Sequence, residues 1–231
     1  MPFPTAAIVG YTSAGKSTLL NALSNSDVLV DPKLFATLDP TTRRVELPDG
    51  WAILLTDTVG FVRNLPTHLV AAFRATLEET VEADFLIHVV DVSHPHYEVQ
   101  MDAVIETLES LGAADKPTIT VFNKADLIKD QSALRELVAD TENACYISAA
   151  KRDGLPQLLD RIIAMLGDLL TEVNLCIPYD KSNLVQQCYE FGRVVQIDYE
   201  ESGIQVHAKI TRELAGRLRE YAAEASAAVA L

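Results

Sequence analysis

The stretch GYTSAGKS, Gly10 to Ser17, sets two glycines, a lysine and a serine at the spacing G-x-x-x-x-G-K-S. Residues of these types at this spacing can hold a chain of phosphates. The glycines let the backbone approach the anion, successive N–H groups and a helix N-terminus point at it, and the lysine adds a full positive charge. The context such a loop needs is present, because the apolar run TAAIV precedes it and the amphipathic stretch KSTLLNALSN follows. Gly10, Tyr11, Thr12, Ser13, Ala14, Gly15, Lys16, Ser17 and Thr18 therefore form the candidate phosphate site. Within it, Lys16 would meet the β- and γ-phosphates and the Ser17 hydroxyl would ligate Mg²⁺.

A phosphate loop does not choose a base, but NKAD, Asn123 to Asp126, can. It follows the apolar run TITVF, and the Asp126 carboxylate can accept from both N1–H and the exocyclic amine of guanine, a donor pair that adenine lacks. Asn123 and Lys124 belong to the same candidate site. In SAAK, which follows another apolar run, Ser148, Ala149 and Ala150 place N–H groups and small side chains where the guanine carbonyl can be capped. DTVG then delivers Asp57 and Gly60 to a strand end, the carboxylate to hold Mg²⁺ through water and the Gly60 N–H to meet a γ-phosphate. The next residue, Phe61, cannot orient an attacking water by hydrogen bonding, so either GTP is not hydrolysed or the water is held by something else. Between the phosphate loop and the next strands, DVLVDPKLFATLDPTTRRV reads as a mobile first switch, where Thr37, Thr41 and Thr42 compete to offer Mg²⁺ a hydroxyl.

The elements that must position these residues alternate. TAAIVG, WAILLTD, FLIHVVD, TITVFNK and ACYISA are short, nearly continuous apolar runs, as expected of parallel strands covered on both faces. Amphipathic stretches lie between them, among them THLVAAFRATLEETVEA, YEVQMDAVIETLESLG, QSALRELVAD and LPQLLDRIIAMLGDLL. The pattern predicts an α/β fold with a doubly wound, mostly parallel sheet over residues 1–170. Asp49-Gly50 in RRVELPDGWAILL suits a two-residue hairpin turn and adds one antiparallel strand. Residues 171–231 change pattern to strand, helix, strand, strand, helix, a small α+β domain with Ser202-Gly203 at its hairpin turn and an alanine-rich end that frays from Ala222.

At 48% hydrophobic residues the chain can bury a sizeable core, and no run of about twenty apolar residues suits a membrane span. The formal net charge of −14 argues against broad contact with a phosphate backbone and predicts weak RNA binding by this chain alone. Cys145, Cys176 and Cys188 form no C-x-x-C pair, so they are expected to be reduced core residues of a cytosolic protein. His94, Pro95, His96 and Tyr97 read as a loop leading into a helix, Arg43 and Arg44 as a solvated strand edge, and Arg63 and Arg74 as flanks of a second switch.

GYTSAGKSTLLNAL, LFATLDPTTRRV, DTVGFVRNLPTHLVAAFRATLEE and NKAD, with IPYD in the C-terminal part, resemble the HflX GTPases, relatives of the Obg group. The resemblance covers nearly the whole chain. It implies a Mg²⁺-dependent GTP hydrolase with Lys16, Thr37 and Gly60 at the reaction, Phe35 and Ala36 beside the nucleotide, and Ser17, Thr37 and Asp57 around the metal. Thr41 and Thr42 are then switch-loop hydroxyls with local backbone bonds. Family members carry an apolar residue after the glycine and still hydrolyse GTP, which implies that backbone groups or a partner orient the water. They usually read GYTNAGKS, whose asparagine helps related potassium-activated GTPases hold a monovalent cation; Ser13 stands there and would be a weaker ligand. Relatives are cytoplasmic, in some cases peripheral to a membrane, and the full-length ones bind the large ribosomal subunit and split stalled ribosomes. They do so with an N-terminal domain and helical segment that precede the GTPase domain. This chain begins four residues before Thr5 of its first strand, so it is expected to be a piece of a longer protein or a short form.

Overall fold

The fold was obtained as a computed structural model and describes residues 3–24, 41–61 and 77–223. Contacts divide it into two compact units, Phe3–Ile163 and the residues from Ala164 onward.

The first unit holds a six-stranded sheet in the order β2-β3-β1-β4-β5-β6. Its strands β1 (Thr5–Val9), β3 (Ala52–Asp57), β4 (Phe85–Asp91), β5 (Thr118–Asn123) and β6 (Ala144–Tyr146) run parallel, and β2 (Thr41–Glu46) pairs antiparallel with β3. Every residue from Ala6 to Val9 and from Phe85 to Val90 is buried, which is why these strands read as unbroken apolar runs rather than alternating ones. The helices are α1 (Lys16–Ser24), α2 (Glu78–Glu82), α3 (Tyr97–Ser110), α4 (Gln131–Asp140) and α5 (Leu155–Leu169). The Asp130 carboxylate caps α4 by accepting from the Ser132 and Ala133 N–H groups. The strand order reverses at β1, and the carboxyl ends of β1, β3, β4 and β5 deliver Gly10, Asp57, Asp91 and Asn123 to one rim. Open α/β sheets bind ligands at such a switch point.

The β2–β3 hairpin differs from the expected two-residue turn. The Leu47 N–H donates to the Trp51 carbonyl (2.7 Å) and the Gly50 N–H to the Leu47 carbonyl (3.0 Å), leaving Pro48, Asp49 and Gly50 as a three-residue loop. Pro48 suits the second position of the turn, and Gly50, at φ +86°, takes the left-handed conformation that closes such loops. Of the helix expected over THLVAAFRATLEETVEA, α2 is the part within the described residues.

In the second unit β7 (Thr171–Ile177), β9 (Gly203–Ile210) and β8 (Gly192–Glu200) form an antiparallel sheet in the order β7-β9-β8. One face packs with α6 (Asn183–Glu190) and α7 (Arg212–Arg217) around Leu175, Ile177, Cys188, Val206, Ile210 and Leu214. Alternate residues Ile204, Val206, Ala208 and Ile210 point into this core, the half-buried pattern absent from the first unit. Glu200 pairs with Gly203, so the hairpin turn is Glu201-Ser202 and Gly203 opens β9. The last helix is shorter than expected: α7 ends at Arg217 and a 3₁₀ turn over Arg219–Tyr221 follows, because Gly216 weakens the helix and Leu218 turns into the core. Cys145 and Cys188 are buried with free thiols that burial pushes up to about 11, which suits core residues without thiol chemistry.

His88, 4% exposed in the middle of β4, is kept neutral. Burial first and the nearby Lys16 charge second lower its pKa from 6.5 to about 4. Because the folded value lies below the unfolded one, the neutral ring's stabilisation is fully present above pH 6.5 and is lost as pH falls toward 4. Urea unfolding should therefore show a loss of about 2 kcal/mol between pH 7 and pH 5 that His88→Leu removes. An equal pH slope in the two proteins would contradict this.

Candidate nucleotide site

The loop between β1 and α1 is folded around its lysine. The Lys16 ammonium, on a residue 6% exposed, donates to the Gly10 and Tyr11 carbonyls at 3.1 Å each. Burial lowers its pKa to about 8 while Asp57 pulls the other way, so near neutral pH this is a cation held largely out of water. A charge so placed suits a partner with several anionic oxygens. Gly15 has φ +100°, and a Cβ there would fall 2.3 Å from Asn123 Nδ2. Only glycine gives the loop that close approach. Ser13 also lies in the left-handed region, at φ +62°.

Asp57, 2% exposed at the end of β3, accepts from the Ser17 hydroxyl at 2.5 Å. A hydroxyl and a carboxylate brought together at a phosphate loop are the hard oxygen ligands that suit Mg²⁺. Gly60 lies against the loop: a Cβ there would be 2.9 Å from Thr12 Cα and 3.0 Å from Lys16 Nζ. Phe61 is joined to the loop by its backbone, its N–H donating to the Gly10 carbonyl (3.1 Å) and its carbonyl accepting from the Thr12 N–H (2.9 Å). Its ring is fully buried in a cluster with Ala7, Val9, Leu77, Leu86 and Val104. Thr41 and Thr42 are strand residues rather than switch-loop hydroxyls with local backbone bonds. Pairing of β2 with β3 sets Thr41 opposite Asp57 and gives the Thr42 hydroxyl the Thr56 hydroxyl as partner at 2.9 Å. Phe35, Ala36, Thr37, Arg63 and Arg74 lie outside the described residues.

At the base-reading end, Asn123 is 3% exposed and both ends of its amide are used. Nδ2 donates to the Ala14 carbonyl (2.8 Å), and Oδ1 accepts from the Ala149 N–H (3.0 Å). One side chain thus ties the phosphate loop to SAAK, and the Ala149 N–H expected for the guanine carbonyl is engaged by Asn123. Asp126 lies 3.2 Å from the Lys151 ammonium, and a hydrogen bond from the Ser148 side chain is the main reason its carboxyl is held below the usual carboxylate range. Asp153, not foreseen as part of the site, closes the SAAK loop by exchanging two backbone hydrogen bonds with Ser148 at 3.0 and 3.1 Å. Away from this rim, His94 Nδ1 accepts from the His96 N–H in the loop that leads into α3. Among the described residues no group of three or more His, Cys, Asp or Glu could hold a metal.

Residues 5–124 match the family described as 50S ribosome-binding GTPase, and residues 133–225 match the HflX C-terminal domain family. The chain belongs to the HflX family of GTPases. It is 46% identical over 219 residues to GTPase HflX of Caldanaerobacter subterraneus subsp. tengcongensis, which covers 94% of this chain and 50% of that protein. With GTPase HflX of Escherichia coli K12 it shares 38% identity over 201 residues, 87% of this chain and 47% of the relative. The chain thus spans about half the length of the curated HflX relatives it matches. A GTP-binding protein from the archaeon Sulfolobus solfataricus, solved in complex with GDP, superposes with a TM-score of 0.58 at 32% identity, over 72% of this chain and 53% of that one. Era of Aquifex aeolicus, at 22% identity and TM-score 0.58 over 88% of this chain and 75% of that one, shares the fold. Asp91, at the end of β4, is a second rim residue that the motifs do not point to. Its signal was the Asp-x-Ser of DVS at the end of an apolar strand.

Proposed function

We propose that this protein binds GTP and GDP and hydrolyses GTP to GDP and phosphate. The observation that carries the reading is the Asn123 bridge: it ties the loop that cradles the buried Lys16 to the SAAK loop, whose Ser148 and Lys151 meet the Asp126 carboxylate. Lys16 and the Gly60 N–H would stabilise charge on the γ-phosphoryl oxygens, and Asp126 would select guanine. The residues fit a Mg²⁺ ion, with Ser17 and, from the resemblance, Thr37 as ligands and Asp57 acting through water. Bound there, the ion would neutralise charge on the β- and γ-phosphates. Ser13 offers a monovalent cation no more than a hydroxyl. In the full-length protein, which we place in the cytoplasm, the cycle would serve work at the large ribosomal subunit, while the −14 charge of this chain leaves its own affinity for RNA weak.

A second reading, a GTP-sensing module that scarcely turns over, is favoured by one observation. The side chain after Gly60 is in the core and cannot hold a water. Phosphate release under multiple turnover, with GTP and ATP in parallel and with and without large subunits, separates the two. We expect slow continuous release from GTP, faster with subunits, and none from ATP. Release that stops at one equivalent per protein supports the sensing module, and equal release from ATP overturns the guanine assignment.

A further inference from the structure

We propose that Asp91 is a positioning residue for the guanine base, acting through Lys124; this rests on the nucleotide reading above. Asp91 ends β4 opposite Asn123 of β5. Both of its carboxylate oxygens are engaged. Oδ1 accepts from the Ser93 N–H (3.1 Å) and the Ser93 hydroxyl (2.5 Å), and Oδ2 accepts from the Lys124 ammonium at 2.6 Å. A carboxylate held at both oxygens cannot rotate away, so it fixes where the lysine ends.

The backbone fixes where the lysine begins. Lys124 has φ +63° and ψ +31°, a left-handed conformation uncommon for lysine, and the structure around it imposes this. Asn123 is tied on one side to Ala14 and Ala149, and the Ala125 N–H on the other side donates to the Ile147 carbonyl at 3.0 Å. With both ends set, the methylene stem of Lys124, two residues before Asp126, is ordered before any base arrives. On the nucleotide reading it would form one wall of the base slot. A free lysine would lose rotamer entropy on ordering, and the Asp91 pair moves that loss from binding to folding.

The simpler alternative is that the pair only fastens β4 to the loop after β5. That junction is already made by the β4–β5 ladder and by the Val92 N–H donating to the Asn123 carbonyl at 3.1 Å. The pair is also not a freely hydrated surface bridge, since the side chains are 33% (Lys124) and 15% (Asp91) exposed.

The test uses dissociation of N-methylanthraniloyl-GDP from the wild type, Asp91→Asn, Lys124→Met and the double variant. Asp91→Asn should release the nucleotide about tenfold faster, the size of one charge-assisted hydrogen bond. In the Lys124→Met background the same change should add nothing, whereas an effect of Asp91 that does not pass through Lys124 would persist there; a pair that merely braces the fold would instead lower stability to urea in Asp91→Asn without speeding release. No acceleration, or full additivity, overturns the proposal. Should Asp91→Asn fail to fold, Ser93→Ala removes one of the three bonds that hold the carboxylate and should accelerate release a few-fold; unchanged release there also overturns it. Loss of binding by the wild type itself would instead sink the nucleotide reading, and this inference with it.

Discussion

Asp126→Asn should exchange guanine for xanthine. Guanine offers two donors on this edge, N1–H and the 2-amine, and a carboxylate offers two acceptors; xanthine replaces the amine with a carbonyl, which matches an amide that accepts with its oxygen and donates with its nitrogen. In the structure the Asp126 carboxyl is poised for two donors, being held ionised by the Ser148 hydrogen bond and Lys151. Losing a doubly bonded contact to a charged acceptor should lower affinity for GDP by about 30- to 1,000-fold. Xanthosine diphosphate should gain by a comparable factor. The frame should survive, because Asn123 bonds to Ala14 and Ala149, and the Ala125 N–H to the Ile147 carbonyl, without the Asp126 side chain. Equilibrium binding of both diphosphates to both proteins decides the matter, and an unchanged preference for guanine would remove Asp126 from base reading.

Most of this site was legible because its parts sit at ends of strands that announce themselves. Gly10, Asp57 and Asn123 each follow an apolar run, and a strand buried on both faces has a simple signature, so the rim could be placed before any coordinates. What stayed hidden depended on pairings between distant segments. Nothing in NKAD says that the Asn123 amide will be consumed by Ala14 and Ala149, since those partners lie 109 and 26 residues away. Thr41 and Thr42 read as loop hydroxyls because TTRR has no apolar alternation; their strand is an edge whose pairing with β3 is set by the hairpin. The hairpin loop is one residue longer than Asp49-Gly50 alone suggests, because Pro48 is a turn residue in its own right and takes the second position. Asp91 is hidden for the same reason as the Asn123 bonds: DVS marks it at a strand end, but its contact with Lys124 joins segments 33 residues apart.

Phe61→Ala should unfold the protein more readily without emptying the phosphate site. The ring is fully buried among Ala7, Val9, Leu77, Leu86 and Val104, and removing a buried phenyl side chain costs about 3–5 kcal/mol because the surrounding core closes only partly over the cavity. Against a typical total of roughly 5–15 kcal/mol, that loss is large enough to bring the variant near the threshold of folding. Its contacts with the phosphate loop, however, run through its backbone N–H and carbonyl to Gly10 and Thr12, and alanine keeps both. Urea unfolding should therefore show the full core penalty, while the dissociation constant for GDP of the folded fraction changes little. Saturating GDP should restore part of the lost stability, since a ligand that binds only the folded state adds about 2.7 kcal/mol at a hundredfold excess over its dissociation constant. Phe61→Leu, which refills most of the cavity, should recover most of the penalty. If Phe61→Ala instead kept its stability and lost GDP, the ring would belong at the phosphates and not in the core, and the water would have to be sought near it after all.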